Sequence, residues 1–312
     1  MSIADVIVKV PLPDAGIELL RKDFTVHYAP SEDEFEQAIK DHPQTRALVT
    51  NGSIGVKGQQ LRRLTNLEMI LTQGVGFENV DTAVVQELGL RMTTGKGVNA
   101  FAVADHAMAL LLAAARHITW ADRRVREGRW LESRGPRASA YRKRIGIMGL
   151  GEIGNMIANR AKGFEMEVSY LNRSVRDDVD YPFYSNALDL ATNSDFLMIA
   201  TPGGSETRGV IGKEVLDALG PQGYLINIGR GTIVDTDALI AALHDGRIAG
   251  AAIDVVAGEP VVSEALLAAP NLTITPHMAG RCPESVDHAM RRISDNLKTH
   301  FSGEGDFVSK IF

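Results

Sequence analysis

The chain has 312 residues, enough for about two domains of ordinary size. Its 45% hydrophobic and 23% charged residues are typical of a folded globular protein and exclude a disordered one. The 33 basic and 39 acidic residues give a formal net charge of −6, so neither a nucleic acid nor a membrane surface is expected as a partner.

Three features indicate a cytoplasmic protein. The single cysteine, Cys282, excludes an internal disulfide and fits a reducing compartment. Asp5 and Lys9 interrupt the first apolar run, which is unlike a signal peptide. The longest apolar run, residues 107–115, is far shorter than the roughly 20 residues of a membrane-spanning helix.

The first part of the chain predicts alternating strands and helices. Short apolar or β-branched runs at 5–10, 47–50, 69–71 and 91–94 are strand candidates, and residues 32–40 and 82–88 separate them as helix-compatible segments. This alternation favours a parallel sheet with helices on both faces. A long helix is then predicted from 101 to about 126, with Gly128 as its stop signal.

A basic excursion, 128–144, leads to a second series of the same kind. Its predicted strands are 145–148, 167–171, 196–200, 223–228, 249–255 and 272–275, and its predicted helices are 152–162 and 236–244. Residues 283–301 predict a final helix with one apolar face. The fold class is therefore α/β, with doubly wound parallel sheets.

The segment R-I-G-I-M-G-L-G-E-I-G has the spacing of a dinucleotide-binding turn. Gly149, Gly151 and Gly154 follow a hydrophobic strand and begin a helix, whose first N–H groups can bind phosphates. The three glycines alone would also fit a turn that binds no ligand. The strand–turn–helix context favours a dinucleotide site, to which Leu150, Glu152 and Ile153 also belong.

The second strand of this unit ends in Asn172, Arg173 and Ser174, where NAD-binding proteins place an acid for the ribose hydroxyls. Arg173 could pair with a 2′-phosphate, and Asn172 and Ser174 could donate to its oxygens, at about 1.5–3 kcal/mol per charge-assisted contact. A solvated loop arginine is the alternative. The missing acid favours NADP(H) over NAD(H).

Three later motifs each follow an apolar strand and carry a chemically active side chain: Arg230, Glu259 and His277. Singly, they fit a surface arginine, a turn carboxylate and a loop histidine. Because open α/β sheets collect ligands at the carboxyl ends of their strands, the three could converge as an anion clamp, a carboxylate partner and a proton donor.

Five motifs in this order resemble the D-isomer-specific 2-hydroxyacid dehydrogenases over nearly the whole chain. They are V-N-A-F-A-V-A-D-H at 98–106, G-L-G-E-I-G at 149–154, N-I-G-R-G at 227–231, D-V-V-A-G-E-P at 254–260 and P-H-M-A-G at 276–280. Within the family the chain looks most like the glyoxylate/hydroxypyruvate reductases, whose NADP-using members have a similar N-R-S-type loop.

The resemblance implies two Rossmann-like or flavodoxin-like domains with the active site in the cleft between them. The substrate domain would comprise 1–98 plus 284–312, and the dinucleotide-binding domain 99–283. The resemblance also implies a homodimer built through the cofactor domains. The helix and excursion around Trp120 and Trp130 are the candidate contact.

The resemblance further implies NADPH-dependent reduction of a small 2-keto acid to the D-2-hydroxy acid. His277 would protonate the carbonyl oxygen, Glu259 would favour the charged imidazole, and Arg230 would bind the substrate carboxylate and carbonyl. No metal is required.

The remaining positions implied by the resemblance fall into two sets. Substrate contacts are expected at Asn51, Gly52, Ser53, Val75 and Gly76. Cofactor contacts are expected at Thr201, Pro202, Ile228, Gly229, Asp254 and, more weakly, Asn99, Val103 and Gly280, besides Arg230 and His277. For Val103 the alternative is a place in the core, and His106 and His117 are expected to be packing or surface residues of the long helix.

Two other functions fit the same residues. One keeps the chemistry with an aromatic keto acid such as hydroxyphenylpyruvate, because no residue of the pocket loops decides its size. The other is a cofactor-sensing module that binds protein partners, as the related C-terminal-binding corepressors do.

Overall fold

The computed structural model describes residues 4–312, which form two compact units. The flanking unit comprises the chain up to Asn99 together with Arg281–Phe312, and the central unit is Ala100–Gly280. The expected borders, after 98 and after 283, differ from these by one residue and by three.

The flanking unit contains a five-stranded sheet with the order β2-β1-β3-β4-β5, in which all neighbours are parallel. β3 and β4 are buried along their whole length, which explains their uninterrupted apolar runs. The elements of its first segment are β1 (Asp5–Val8), α1 (Asp14–Arg21), β2 (Thr25–Tyr28), α2 (Glu32–Asp41), β3 (Ala47–Thr50), α3 (Gly58–Leu61), β4 (Met69–Thr72), α4 (Thr82–Glu87) and β5 (Arg91–Thr93).

The central unit contains a seven-stranded parallel sheet with the order β12-β11-β10-β9-β6-β7-β8. Its elements are α5 (Ala100–Arg116), α6 (Ile118–Arg126), β6 (Arg144–Met148), α7 (Glu152–Lys162), β7 (Glu167–Leu171), β8 (Phe183–Tyr184), α8 (Ala187–Thr192), β9 (Phe196–Ile199), α9 (Lys213–Leu219), β10 (Tyr224–Asn227), α10 (Thr236–His244), β11 (Gly250–Ile253), α11 (Glu264–Leu267) and β12 (Leu272–Ile274).

The last helix, α12 (Pro283–Ser302), belongs to the flanking unit. It begins with Pro283 in its first turn, where the missing N–H costs no helical bond. Its apolar stripe, which includes Met290, Ile293 and Leu297, joins Ile17 and Leu20 of α1 in one core cluster. The predicted amphipathic face therefore covers one side of the five-stranded sheet.

The prediction of two parallel-sheet α/β domains is confirmed, but one long helix is not. The predicted helix from 101 to 126 is broken at His117, which adopts a left-handed conformation (φ 52°), so that α5 and α6 meet at 59°. His117 is therefore a helix junction. The predicted stop at Gly128 is confirmed by its φ of 79°, just beyond the end of α6.

The two helices also differ in burial. α5 has ten buried residues and packs within the core of the central unit, whereas none of the residues of α6 is buried. Within residues 4–312 no single helix is long and apolar enough to cross a membrane. The bent pair α5 and α6, taken together, is long and apolar enough to cross one by length and composition alone.

A partly buried histidine in the flanking unit, His300, has a pKa below its ordinary value. His300 Nδ1 lies 2.7 Å from the Arg91 guanidinium, which can only donate, and Nε2 lies 2.9 Å from Glu68 Oε2. Burial lowers the pKa of His300, and the charges of Arg91 and Arg46 add to this against the opposing effect of Glu68. The unfolded chain therefore takes up this proton at a higher pH than the folded protein does.

His300 is accordingly expected to destabilise the fold on acidification below about pH 6.5, as the pH falls toward its lowered folded pKa. His300→Gln keeps one donor for Glu68 and one acceptor for Arg91 without a titrating ring. Thermal melting from neutral to mildly acidic pH should show a shallower loss of stability in this variant. Parallel curves for the two proteins would contradict the assignment.

Candidate active site

Arg230, Glu259 and His277 lie along one edge of the central sheet. They follow β10, β11 and β12, three adjacent parallel strands, whose carboxyl ends all point the same way. The structure therefore brings the three predicted residues to one side of the central unit, the side at which open α/β sheets bind ligands.

The turn that carries Arg230 is fixed by a buried amide. Asn227, 1% exposed, accepts a hydrogen bond from Gly229 N (3.0 Å) and donates one to Arg230 O (3.1 Å). A Cβ on Gly231 would lie 2.0 Å from the carbonyl carbon of Val256, so only glycine fits there. This close approach places the turn against the segment that leads to Glu259. Sequence reasoning missed Asn227, although a polar residue at the end of an apolar strand is a visible signal.

His277 and Glu259 form a close pair, with Nδ1 2.6 Å from Oε2. Because an ionised carboxylate only accepts, the proton of this bond belongs to Nδ1. Nε2 is then the ring nitrogen that can exchange a proton with a bound molecule. The His277 side chain is 51% exposed, so such a molecule can reach it.

The side chain of Asp254 is buried and hydrogen-bonded within the central unit. Its side chain is 1% exposed. Oδ1 accepts hydrogen bonds from Thr275 Oγ1 (2.6 Å) and Met278 N (3.0 Å), and Oδ2 accepts one from Ala279 N (2.9 Å). Both oxygens of this buried carboxylate accept hydrogen bonds from the protein, which fixes the segment around His277. A contact between Asp254 and the nicotinamide carboxamide stays a prediction.

The glycine turn fits the pyrophosphate of a dinucleotide. Gly149 has a φ of 103°, and a Cβ there would lie 2.7 Å from Thr201 N, so the turn requires glycine. Gly151 is exposed with open space around its Cα, and it precedes α7 without a side-chain cap. The first N–H groups of α7, at Glu152, Ile153 and Gly154, therefore point from a positive helix end with no partner within the helix.

The side-chain amide of Asn172 contacts the glycine turn. Its Oδ1 accepts a hydrogen bond from Leu150 N (2.7 Å), and Nδ2 lies 3.5 Å from Leu150 O. The amide thus ties the end of β7 to the glycine turn. A contact between Asn172 and a 2′-phosphate stays a prediction. Arg173 and Ser174 are exposed.

Arg176 was missed by sequence reasoning. Its guanidinium donates to Leu150 O (2.7 Å) and pairs with Asp178, and its backbone N–H donates to the Tyr170 hydroxyl (2.8 Å). The guanidinium therefore lies directly beside the glycine turn, four residues beyond Asn172. A second arginine shortly after the loop was the available signal.

The other expected cofactor positions fall into two sets. Thr201, Pro202 and Gly229 follow β9 and β10 at the same edge of the sheet, and Gly280 ends the central unit. Val103 and Ile228 are each 7% exposed and belong to the apolar core. Both side chains pack in this core, and a cofactor contact at either residue stays a prediction.

The five expected substrate residues lie on two neighbouring loops of the flanking unit. Asn51, Gly52 and Ser53 follow β3, and Val75 and Gly76 follow β4. Asn79 joins the two loops, because its backbone N–H donates to Gly52 O (3.2 Å) and its amide to Ser53 O (2.8 Å).

These contacts bring the two loops together, but the residues on the loops differ in exposure and in hydrogen bonding. The Asn51 side chain is committed to Ile54 N (2.8 Å), whereas Val75 is 44% exposed. Sequence reasoning missed Asn79, which lies three residues beyond the glycine-rich turn of the second loop.

Comparisons with known proteins agree with this architecture. Residues 108–279 match the family model "D-isomer specific 2-hydroxyacid dehydrogenase, NAD binding domain". A glyoxylate/hydroxypyruvate reductase of Arabidopsis thaliana is 40% identical over 260 residues, 83% of each chain. A hydroxyphenylpyruvate reductase of Plectranthus scutellarioides is 39% identical over 260 residues, also 83% of each chain.

A solved structure shows the same fold over the whole chain. The NADPH-dependent glyoxylate/hydroxypyruvate reductase of Sinorhizobium meliloti, in complex with NADP and malonate, is 31% identical, with a TM-score of 0.86 over 99% of this chain and 97% of the other. The family model covers more than half of the sequence, and the two plant relatives cover more than two thirds of it. The chain therefore belongs to the D-isomer-specific 2-hydroxyacid dehydrogenases.

Proposed function

We propose that the protein reduces a small 2-keto acid, glyoxylate or hydroxypyruvate, to the D-2-hydroxy acid with NADPH. The observation that carries this proposal is the pair of His277 and Glu259, 2.6 Å apart, on the sheet edge it shares with Arg230. That edge combines a proton donor held by a carboxylate with a permanent cation, as the reduction of a keto carboxylate requires.

Each residue has one task in this reaction. A bound reduced nicotinamide supplies the hydride. His277, protonated at both nitrogens, donates the Nε2 proton to the substrate oxygen as negative charge develops there. Glu259 accepts from Nδ1, which orients the ring and stabilises its charged form. Arg230 binds the substrate carboxylate and holds the carbonyl in position.

The two loops of the flanking unit complete the proposal. Backbone N–H groups at Val75 and Gly76 bind the substrate carboxylate, and residues 51–53 line the same pocket. The hydrogen bonds from Asn79 keep the two loops in register with each other.

Arg173 is proposed as the residue that selects NADP(H). It is exposed just after β7, next to a glycine turn that Asn172 and Arg176 hold in place. Position 173 has no acid to accept hydrogen bonds from the ribose hydroxyls of NAD. A 2′-phosphate there meets a guanidinium, and Ser174 adds a hydroxyl donor.

Arg173→Asp is expected to lower kcat/KM for NADPH by about 10- to 100-fold, the equivalent of one lost charge-assisted contact, and to change NADH use much less. Steady-state kinetics with both cofactors measure this. Arg21→Asp is a matched control, because Arg21 is exposed and lies in α1 of the flanking unit. Equal losses with NADPH and NADH would show that the loop does not bind the phosphate.

One panel of initial rates tests the function itself. Glyoxylate, hydroxypyruvate and hydroxyphenylpyruvate are each offered with NADPH and with NADH. Highest efficiency with glyoxylate or hydroxypyruvate and NADPH supports the proposal. The hydroxyphenylpyruvate reductase relative makes the aromatic keto acid the second candidate, and a clear preference for it would replace the first. Tight NADPH binding without any turnover would point to a cofactor-sensing module.

We further propose that two copies associate through α6 and the segment 128–144. These segments expose four large apolar side chains, Ile118, Trp130, Leu131 and Tyr141, each by more than half (53%, 62%, 77% and 54%). A second copy of the chain would cover these side chains. Light scattering should give twice the chain mass, and a monomer would contradict the proposal.

A further inference from the structure

A chain of three polar side chains runs from helix α5 to the segment that carries His277. His106 Nε2 lies 2.9 Å from Thr275 Oγ1, which lies 2.6 Å from Asp254 Oδ1. All three belong to the central unit, and they bridge α5, the end of β11 and the end of β12. None of them has a part in the proton transfer proposed above.

The hydrogen-bond directions in this chain follow from the donor inventory. Asp254 as a carboxylate only accepts, so the single Thr275 hydroxyl proton points to it. Thr275 Oγ1 must then accept from His106, which fixes a proton on His106 Nε2. The relay therefore runs in one direction, from His106 through Thr275 to Asp254. His106 was expected to be a packing or surface residue, and the structure gives it a polar partner instead.

Asp254 links this relay to the backbone conformation of the segment around His277. Its backbone oxygen accepts from His277 N (2.8 Å), and its carboxylate accepts from Met278 N and Ala279 N. These bonds enclose a residue in the left-handed region, since His277 has a φ of 50°. Such a conformation persists only where the surroundings determine it, and here one buried carboxylate does so.

The relay also offsets the free-energy cost of burying the Asp254 carboxylate. A charge withdrawn from water requires donors at its oxygens, and removing one donor leaves the others to satisfy it alone. Thr275 supplies the shortest of the bonds to Asp254, and His106 Nε2 lies 3.4 Å from the same oxygen. Without these two side chains, Asp254 would lose its fixed orientation toward Met278 and Ala279.

We propose that Thr275 and His106 are positioning residues, which act through Asp254 to hold the backbone of His277 so that its ring meets both Glu259 and the substrate oxygen. This inference rests on the proposed function for its kinetic consequence only. The backbone effect is independent of any substrate.

The test uses two pairs of variants in the full-length protein. Thr275→Val removes the hydroxyl at constant shape, and Thr275→Ser keeps it. His106→Leu removes the donor, and His106→Gln keeps an N–H at similar reach. We expect Thr275→Val and His106→Leu to lower kcat roughly 10- to 100-fold, the scale of a misplaced catalytic group, with KM for the keto acid and NADPH binding little changed. Thr275→Ser and His106→Gln should restore most of the rate.

Amide hydrogen exchange gives a readout that needs no turnover. The Met278 and Ala279 amides should exchange faster in Thr275→Val and His106→Leu than in the wild type. The amides in the strands of the central unit should keep their protection. Restored protection in Thr275→Ser and His106→Gln would support the relay even if no 2-keto acid were reduced. The lack of reduction would overturn only the proposed function. Unchanged exchange at these two amides, or faster exchange with full kcat, would overturn the positioning role.

Discussion

His277→Ala is expected to lower kcat for keto-acid reduction by about 10²- to 10⁴-fold, the usual contribution of a positioned general acid. The ring is half exposed, and Glu259 holds it by Nδ1, so Nε2 is the atom that supplies the proton. NADPH affinity, measured by fluorescence titration, should change little, because the glycine turn and α7 are separate from the His277 segment in the chain.

His244→Ala provides the matched control for this experiment. His244 is an exposed histidine in the last turn of α10, at the sheet edge opposite the one that carries His277. It should leave kcat unchanged. Normal turnover in His277→Ala would assign the proton to another group and withdraw the mechanism.

Arg230→Ala is expected to lower kcat/KM by about 10²-fold or more, the equivalent of two charge-assisted hydrogen bonds of about 1.5–3 kcal/mol each. Both KM for the keto acid and kcat should suffer, because the same guanidinium binds the carboxylate and orients the carbonyl. Arg230→Lys should recover only part of the loss, since an ammonium keeps the charge without the planar fork. Steady-state kinetics on glyoxylate and hydroxypyruvate measure all three values.

The turn around Arg230 makes folding controls necessary for this variant. Its backbone oxygen is bonded by Asn227 whatever the side chain, so the turn itself should survive the substitution. Arg21→Ala removes an exposed arginine of the flanking unit and should be neutral. A loss confined to cofactor affinity would show that Arg230 serves the dinucleotide and not the keto acid.

The sequence predicted most of the central sheet because its strands are continuous apolar runs. β9 and β10 are buried along their whole length, and the predicted runs contain their bounds. The edge strands β2 and β8 were missed. β2 reads T-V-H-Y with exposed ends, and β8 has two residues, so neither has a period long enough to detect.

The break between α5 and α6 was invisible for a different reason. Helical composition continues through Arg116 and Ile118, and neither glycine nor proline marks the junction. The left-handed residue is His117, whose ring makes an edge contact with Trp120 at 6.4 Å between centroids. Local propensity does not report a single left-handed residue of this kind.

At the candidate site, residue types were predictable and hydrogen-bond partners were not. Arg230, Glu259 and His277 follow from motif and strand position, and the structure places them on adjacent strands. The tasks of Asp254 and Asn172 could not be predicted in this way. Both side chains accept hydrogen bonds from backbone N–H groups of segments about 20 residues away in sequence. A sequence motif does not show which backbone groups of a neighbouring turn need a side-chain partner.

The amide of Asn172 sets a rule for anyone who redesigns the cofactor preference. Introducing an acid at position 172 would keep an acceptor for Leu150 N but place a carboxylate 3.5 Å or so from Leu150 O, where the native Nδ2 now stands. The repulsion would fall on the glycine turn that every dinucleotide needs. The side chain at position 173 does not hold the glycine turn. An engineered switch toward NADH should therefore begin there and leave Asn172 unchanged.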